Sequence, residues 1–289
     1  MRDTLRIGFI GAGKVGFSLG KFFSEGGLNV SGYFSRNPAS AREAADFTGS
    51  QAFETLADVA KACDAIIITV PDGAIANVYQ QLRAHDLTGK QICHCSGSLS
   101  AEEVFCDLDA QGATGYSLHP LFPVSSKTET YKELAHAYFC IEGSPEHLDE
   151  WKSRIEGLGP KVQLISSTAK KRYHAACCIS SNLVCALVNQ SIQMLCSCGF
   201  NKDDALMAIA PLMRANVEHI IEAGPRDALT GPVERNDVST VQAHLTCIDD
   251  PLERNLYSLA SLELVKLAQE RHPEADFAQL TQIISSNQG

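Results

Sequence analysis

The sequence has little positive charge. It carries 24 Lys and Arg against 34 Asp and Glu, a formal net charge of −10 over 289 residues. Nucleic acids and anionic membrane surfaces select basic faces, so we expect neither as a partner. Local hydrogen-bond donors can still bind an anionic cofactor.

The sequence also shows neither the pattern of a membrane span nor that of a signal peptide. We find no apolar run that approaches the length of a membrane span. The apolar segment at residues 7–10 is short, contains glycine and lacks a cleavage-site pattern, so it does not resemble a signal peptide. We therefore expect a cytoplasmic protein that does not contact a membrane.

The 11 cysteines lack the spacing of a structural zinc site. Such sites repeat Cys-x-x-Cys. This chain instead has two Cys-x-Cys pairs, Cys93 with Cys95 and Cys196 with Cys198. Most of the cysteines lie in apolar runs, where cysteine behaves as a small hydrophobic residue. We predict reduced, buried thiols and no metal.

The length predicts two domains. Strand and helix patterns alternate up to about residue 165, and only helical patterns follow. The fold class predicted is α/β: a Rossmann doubly wound parallel sheet in residues 1–165, then an all-helical domain in residues 166–289. Residues 167–199 carry apolar side chains nearly all round one long helix, which predicts burial. We expect a rigid cleft between the two domains.

A glycine-rich turn joins the first predicted strand to an amphipathic helix. Its residues, all predicted to bind a cofactor, are Gly11, Ala12, Gly13, Lys14, Val15 and Gly16. Gly11 allows the tight turn, Gly13 lets the backbone approach a diphosphate, and Gly16 lets the helix pack on the strand. Free N–H groups at the helix start favour phosphate binding. The motif predicts a dinucleotide site.

The end of the second predicted strand lacks a carboxylate. An NAD-binding sequence usually has Asp or Glu there to bind the ribose 2′-hydroxyl. This chain has Ser35, Arg36 and Asn37, which suit a 2′-phosphate because a guanidinium binds phosphate in bidentate fashion. We predict NADP as cofactor. The alternative is that Arg36 is an exposed loop cation.

Further cofactor contacts are predicted where neighbouring strands end. Val70, Pro71 and Asp72 follow a continuously apolar strand, and Ser96 follows the next one. Ligands of doubly wound sheets bind at this carboxyl edge. Asp72 alternatively caps the helix that follows.

A polar stripe runs along the first helix of the predicted second domain. Lys170, His174, Cys177 and Ser181 fall on a single stripe of a helix. Beside a nicotinamide, His174 and Lys170 would serve as proton donor and electrostatic partner, and the pKa range of His suits the donor role better. The alternative is a solvent-exposed lysine and a hydrogen-bonded core histidine.

Two other polar groups compete for the predicted cleft. His119 ends a strand beside Ser96, so the two would orient a substrate. Residues 230–237 form a polar loop inside the helical region, followed by His244. That loop binds a ligand, or else Arg235 and Asp237 in it only pair with each other.

Together these motifs resemble a known family. They are Gly-Phe-Ile-Gly-Ala-Gly-Lys-Val-Gly at 8–16, Val-Pro-Asp at 70–72, His-Cys-Ser-Gly at 94–97, Ser-Leu-His-Pro at 117–120, Lys-x-x-Tyr-His-Ala-Ala at 170–176, Ser-Ser-Asn at 180–182 and Leu-Thr-Gly-Pro-Val-x-Arg-x-Asp at 229–237. The chain resembles proteins assigned as NADP oxidoreductases, which join a Rossmann-like domain to a helical domain of unknown function. The wider group includes pyrroline-5-carboxylate reductase, ketopantoate reductase, β-hydroxyacid dehydrogenases and deazaflavin-dependent NADP oxidoreductase.

The resemblance implies a helical domain of the 6-phosphogluconate dehydrogenase C-terminal type and a homodimer formed through it. In β-hydroxyacid dehydrogenases the catalytic pair is Lys and, four residues on, Asn. Lys170 matches the Lys, but His174 stands in the place of Asn. Ser181 and Asn182 follow two to three turns later and supply the missing amide in this interpretation.

We therefore expect an NADP(H)-dependent oxidoreductase that transfers hydride to or from a small polar substrate, a keto acid, hydroxy acid or imine, held between the domains. The alternative is a non-catalytic NADP-binding sensor or scaffold. Hydride exchange with a deazaflavin is a third possibility.

Overall fold

The computed structural model describes residues 4–286 of the chain. They divide after Ser181 into two compact units, residues 1–181 and 182–289. The change from mixed to helical structure is predicted earlier in the sequence, after residue 165. The segment in between contains a 3₁₀ turn, Ser167–Ala169, and one helix.

The first unit is built on an eight-stranded sheet. Its strands are β1 (Ile7–Ile10), β2 (Val30–Phe34), β3 (Gln51–Ala52), β4 (Ala65–Ile68), β5 (Gln91–His94), β6 (Thr114–Leu121), β7 (Tyr138–Gly143) and β8 (Lys161–Leu164). They lie in the order β3-β2-β1-β4-β5-β6-β7-β8. The order reverses between β1 and β4, where doubly wound sheets bind ligands.

All strand pairs are parallel except one. β6 and β7 run antiparallel, with Ser117 opposite Glu142 and His119 opposite Cys140. The predicted doubly wound α/β sheet is confirmed, and the expectation of a wholly parallel sheet is corrected at this pair. Residues 122–137 connect the two strands and contain a 3₁₀ helix, Thr130–His136, in place of the α-helical crossover that usually joins parallel strands.

Helices cover both faces of this sheet. They are α1 (Lys14–Glu25), α2 (Pro38–Thr48), α3 (Leu56–Ala62), α4 (Asp72–Leu82), α5 (Ala101–Val104), α6 (Leu148–Glu156) and α7 (Lys170–Ser180). α1, α2 and α6 share one apolar cluster, while α3, α4 and α5 share a second cluster on the opposite face. β4 reads Ala-Ile-Ile-Ile and is buried throughout, as expected for a central strand covered on both faces.

The second unit is helical. Its helices are α8 (Asn182–Ser197), α9 (Lys202–Ala223), α10 (Pro225–Ala228), α11 (Val238–Cys247), α12 (Pro251–Arg271) and α13 (Ala278–Ser286). Their apolar cluster is formed mainly by α11, α12 and α13, around Val241, Leu245 and Leu280. Pro211 lies inside α9, which continues through that residue.

The long helix predicted over residues 167–199 is interrupted. Ser181 has φ −130° and ψ −78°, which are not helical, so α7 ends and α8 begins there. The prediction that this segment is buried is also wrong, because Ile192 is the one buried apolar residue of α7 and α8 and the others are exposed or half-buried in the single chain. A helix with apolar side chains on every face is expected to be buried, but the pattern does not reveal whether its own chain or another molecule buries it.

The structure also qualifies the expectation about membrane spans. Ser167–Ser197 is long and apolar enough to cross a membrane by length and composition, with a mean hydropathy of 1.4 and 6% of that window buried. Polar residues interrupt this stretch, so it is not an unbroken apolar run in the sequence. The interruption at Ser181 lies inside this stretch.

Candidate functional site

The glycine-rich turn leaves the start of α1 uncapped. Gly11 has φ +111°, a conformation that glycine adopts without strain. A Cβ on Gly16 would collide with the carbonyl oxygen of Gly11 and with Oγ1 of Thr69, so α1 packs against the turn as predicted. A Cβ on Gly13 would instead enter open space. No side chain caps α1 at Gly13, so the first N–H groups of the helix are available to a ligand.

The turn shares a cleft with the end of β2. Among the residues that line this cleft are Gly11, Ala12, Gly13, Ser35, Arg36, Val70 and Pro71, all singled out from the sequence. Arg36 is exposed, and α4 contributes Asn77 and Gln81 to the lining. The cleft therefore combines helix N–H groups with a guanidinium.

The other predicted cofactor residues lie around this cleft. Lys14 is exposed and Val15 half-buried at the start of α1. The Asn37 side chain accepts a hydrogen bond from the Ala39 amide (3.0 Å) and caps α2. The Asn37 side chain thus has a structural role, as a helix cap, that was not predicted from the sequence.

Asp72 does not cap the helix that follows it. It is the first residue of α4, and its Oδ2 accepts hydrogen bonds from the hydroxyls of Ser96 (2.7 Å) and Ser98 (3.1 Å). The capping alternative is corrected. Because these bonds join the ends of β4 and β5, Asp72 holds the Ser96–Gly97–Ser98 turn against the carboxyl edge of the sheet.

Lys170 is buried beside β6 at this edge. Its side chain is 0% exposed, and Nζ donates a hydrogen bond to Oγ of Ser117 (2.6 Å). The Ser117 hydroxyl in turn donates to the Ser96 carbonyl oxygen (3.2 Å). Burial lowers the pKa of Lys170. The ammonium is therefore fixed inside the first unit, where it can act on its surroundings by charge.

A carboxylate accompanies this buried ammonium. Glu142 lies directly opposite Ser117 in the antiparallel pair, so both side chains project from the same face of the sheet. Its Oε1 accepts a hydrogen bond from the Ala101 amide (2.8 Å) at the start of α5. Burial raises the pKa of Glu142, and the charge of Lys170 opposes that effect. Sequence reasoning missed Glu142 because nothing in the sequence revealed the antiparallel pairing.

His119 is paired with a residue of α7. Its Nδ1 lies 2.7 Å from the Tyr173 hydroxyl oxygen, and the two rings meet edge to face. Burial, and next the charge of Lys170, lower the pKa of His119 to about 4, so this imidazole is neutral at physiological pH. Tyr173 belongs to a motif recognised in the sequence, but no role was predicted for it.

His174 lies next to His119. The ring centroids are 6.4 Å apart, and a Cβ on Gly97 would lie 2.5 Å from Cδ2 of His174 and 2.9 Å from Nε2 of His119. Only glycine leaves room for both imidazoles beside this turn. The structure thus brings together four predicted residues, Lys170, His174, His119 and Ser96, within the first unit.

Two predicted residues lie outside α7. The Ser181 hydroxyl donates to the Cys177 carbonyl oxygen (2.6 Å), beyond the end of α7. Asn182 begins α8, in the second unit. The predicted stripe of four residues on one helix is therefore correct only as far as Cys177.

The polar loop at residues 230–237 has structural contacts of its own. Asp237 caps α11 through the Thr240 amide (3.0 Å) and hydroxyl, so capping takes the place of the suggested pairing with Arg235. Asn236 adopts φ +54° and donates to the Asp276 carbonyl oxygen (2.8 Å). His244 contacts the Tyr257 hydroxyl (2.8 Å).

The cysteines are free thiols, but fewer are buried than predicted. Cys63, Cys93 and Cys140 are buried, and the rest are half-buried or exposed. In residues 4–286 no group of three or more His, Cys, Asp or Glu side chains is arranged to hold a metal ion.

Two family models match the chain, one in each part. A Rossmann-like domain model matches residues 1–120, and a model described as a domain of unknown function, DUF2520, matches residues 137–264. The chain therefore matches a Rossmann-like domain followed by a DUF2520 domain. The resemblance noted in the sequence motifs is thereby confirmed. No curated protein sequence matches the chain.

Solved structures share the fold of this Rossmann–DUF2520 chain. A Thermotoga maritima protein is 27% identical, with 92% of this chain and 99% of that chain covered and a TM-score of 0.74. A candidate NADP oxidoreductase from Bacteroides fragilis is 24% identical (91% and 98% covered, TM-score 0.65). A reductive aminase from Aspergillus terreus in complex with NADPH and ethyl levulinate is 17% identical (98% and 99% covered, TM-score 0.65).

Proposed function

We propose that this Rossmann–DUF2520 protein is an NADP(H)-dependent oxidoreductase that transfers hydride to or from a small polar substrate, a keto acid, hydroxy acid or imine. The observation that carries the proposal is the cleft at the switch point of the sheet. An uncapped helix start and Arg36 line it together. The neighbouring edge holds a buried ammonium and two imidazoles.

The residues present fit NADP. The space beside Gly13, which a Cβ would occupy, suits the diphosphate against the start of α1. Arg36 and Ser35 at the end of β2 suit a 2′-phosphate. The B. fragilis protein is named for NADP, and the A. terreus enzyme was solved with NADPH. We take NADP as the cofactor on this support.

Each polar residue at the carboxyl edge has a proposed task. Bound NADPH would supply the hydride. His174 would donate the proton to the substrate oxygen or nitrogen, and His119 with Ser96 would orient the substrate. Lys170 would stabilise developing negative charge from its buried position, since Nζ is bonded to Ser117 and 0% of the side chain is exposed. That the substrate also contacts the helical domain, through Ser181 and Asn182, stays a prediction.

Thermal shift with NADP and NAD tests the cofactor. NADP should stabilise the protein by mass action and NAD hardly at all. Arg36→Asp should abolish or invert this preference, because the new carboxylate repels a 2′-phosphate and can bind a ribose hydroxyl. Arg42→Asp makes the same charge change on the exposed side of α2 and is the control. Equal responses of the parent protein to both dinucleotides would contradict the proposal.

Turnover separates the enzyme from a non-catalytic NADP-binding sensor or scaffold. Nicotinamide absorbance should change with members of a panel of keto acids, cyclic imines and 2-hydroxy acids. Tight NADP binding with no turnover across the panel favours the sensor. Reduction of NADP by a reduced deazaflavin alone would identify the third possibility noted from the sequence.

We further propose a cytoplasmic homodimer assembled through the helical domain. Support comes from exposed apolar side chains on its helices, including Leu187 on α8 and Leu212 and Ile221 on α9, which are 46%, 71% and 77% exposed. An apolar surface of this kind marks an interaction site.

A further inference from the structure

His119 and Tyr173 form a pair whose hydrogen-bond direction can be assigned. The Nδ1 to hydroxyl oxygen distance is 2.7 Å. Bonds donated by hydroxyl groups have typical lengths of about 2.7–2.8 Å, whereas those donated by N–H to oxygen are about 2.9–3.0 Å. The short distance favours the Tyr173 hydroxyl as donor and Nδ1 as acceptor.

The surroundings of Tyr173 support the same direction. The thiols of Cys140 and Cys177 are near enough to its hydroxyl to raise the pKa of Tyr173 further. A thiol is a weak acceptor, and a neutral imidazole nitrogen is a better one. The phenol therefore donates to Nδ1 of His119 in preference to either thiol. Burial raises the pKa of Tyr173 and of Cys140, which keeps both groups protonated.

The charges around His119 keep the ring neutral. Lys170 and His174 on α7 face it, and Lys170 also lies 5.7 Å from the centroid of the Tyr173 ring. The charge of Asp72, at the start of α4, acts on the pKa of His119 in the opposite sense. The thiol of Cys140 comes from the neighbouring strand β7. With the ammonium so close, an imidazolium at residue 119 is disfavoured.

The other ring nitrogen of His119 faces the carboxyl edge. Nε2 would lie 2.9 Å from a Cβ on Gly97, so the absence of a side chain there leaves this nitrogen accessible beside the turn after β5. Within residues 4–286, Nδ1 is the ring nitrogen of His119 that has a hydrogen-bond partner.

We infer that Tyr173 holds His119 as a neutral imidazole protonated on Nε2, so that His119 presents a hydrogen-bond donor to a carbonyl or carboxylate oxygen of the substrate. This inference rests on the proposed function for the identity of the ligand. The assignment of the proton to Nε2 rests on the Tyr173 contact alone. Tyr173 is then a positioning residue, because it acts through His119.

Nuclear magnetic resonance tests the tautomer without any reaction. The intact chain, labelled with ¹⁵N-histidine and free of cofactor, should show Nε2 of His119 protonated and Nδ1 unprotonated, with both signals unchanged from pH 8 to pH 5.5. His119→Gln assigns the signals by their disappearance. Protonation of wild-type His119 on Nδ1 would overturn the inference, whether or not the protein is an oxidoreductase.

Tyr173→Phe should remove the preference for Nε2–H and move both ring nitrogens of His119 toward mixed tautomers. The matched control is Tyr257→Phe, which removes the equivalent hydroxyl from His244 (2.8 Å, rings also edge to face) and should leave His119 unchanged. Unaltered His119 signals in Tyr173→Phe would contradict the positioning role. If Tyr173→Phe does not fold, the wild-type spectrum decides.

The donor role is tested with those members of the substrate panel that turn over. A Gln amide can replace Nε2–H, whereas an Asn amide reaches only the position of Nδ1. His119→Gln should therefore retain kcat/KM within about tenfold, while His119→Asn should lose about 100-fold, the typical effect of removing one oxyanion donor. Equal losses in both variants would contradict the donor role and leave the tautomer assignment standing.

Discussion

At the scale of single residues, His94 shows how burial controls a charge. It is the last residue of β5 and is 0% exposed, with its ring 5.4 Å from that of Phe105. Nδ1 accepts a hydrogen bond from the Ser96 amide (3.2 Å). Burial, and next the charge of Lys170, lower the pKa of His94 to about 4.

This buried histidine predicts a pH-dependent stability. Between pH 6.5 and 4 the unfolded chain binds a proton at residue 94 that the folded chain does not bind. The free energy of unfolding is therefore highest above pH 6.5. It decreases as the pH falls toward 4, and His94 contributes about 3 kcal/mol to that decrease. His94→Asn keeps an acceptor near Nδ1 but does not titrate. Urea unfolding at pH 7.5, 5.5 and 4.5 should show a shallower loss in this variant.

The control is His136→Asn, at an exposed position. It should leave the pH dependence of the unfolding free energy unchanged. His119, whose pKa is also lowered to about 4, accounts for part of the slope that remains in His94→Asn. An unchanged slope in His94→Asn would mean that His94 titrates normally in the folded chain.

At the scale of elements, the contact between the glycine-rich turn and α1 sets the geometry of the cofactor cleft. Gly16→Ala should lower the unfolding free energy by about 1–3 kcal/mol, because its Cβ collides with the Gly11 carbonyl oxygen and the Thr69 hydroxyl. The same displacement should abolish the thermal shift with NADP. Urea unfolding and thermal shift measure the two effects.

Gly73→Ala is the matched control for Gly16→Ala. Both glycines lie in the first turn of a helix, but a Cβ on Gly73 meets no heavy atom within 4 Å. This substitution should raise the unfolding free energy by up to about 1 kcal/mol, since alanine is the better helix former. Equal effects of the two substitutions would show that the close packing at Gly16 does not matter.

The antiparallel pair of β6 and β7 is the element that sequence reasoning missed. It places Glu142 opposite Ser117, and so beside the ammonium of Lys170, although the three residues are far apart in the sequence. It also places Cys140 opposite His119. Strand patterns predict which residues share a face of one strand, but they do not reveal which strand lies next to it or in which direction.

At the scale of the whole molecule, the exposed apolar side chains of α8 and α9 predict a concentration-dependent dimer. Leu187→Glu or Ile221→Glu should shift the protein to monomer in sedimentation velocity, because each introduces a charge into the apolar surface. Tyr138→Glu, at a 47% exposed aromatic on β7 in the first unit, is the control and should remain dimeric.

Two results would contradict the dimer. The wild-type protein could be monomeric at every concentration measured. It could also float with phosphatidylcholine vesicles, and then the apolar stretch Ser167–Ser197 would bind lipid and not a second copy. Loss of flotation in Leu187→Glu would confirm that second outcome.

The sequence by itself determined the local features of this protein. Gly11, Gly13 and Gly16 predicted the turn before α1, and alternating strand and helix patterns predicted the doubly wound sheet, since both depend on residues close together in the chain. The absence of a carboxylate after β2 predicted the choice of NADP, which the Arg36 experiment now tests.

Only the tertiary structure decided which distant residues meet. It showed that Lys170 is buried against Ser117, that Tyr173 binds His119, and that Asp72 holds the Ser96 turn in place of capping α4. It also showed that the apolar helix α8 is exposed in the single chain. These facts depend on strand order, strand direction and the surface left uncovered by the chain, and periodicity along one segment carries information about none of them.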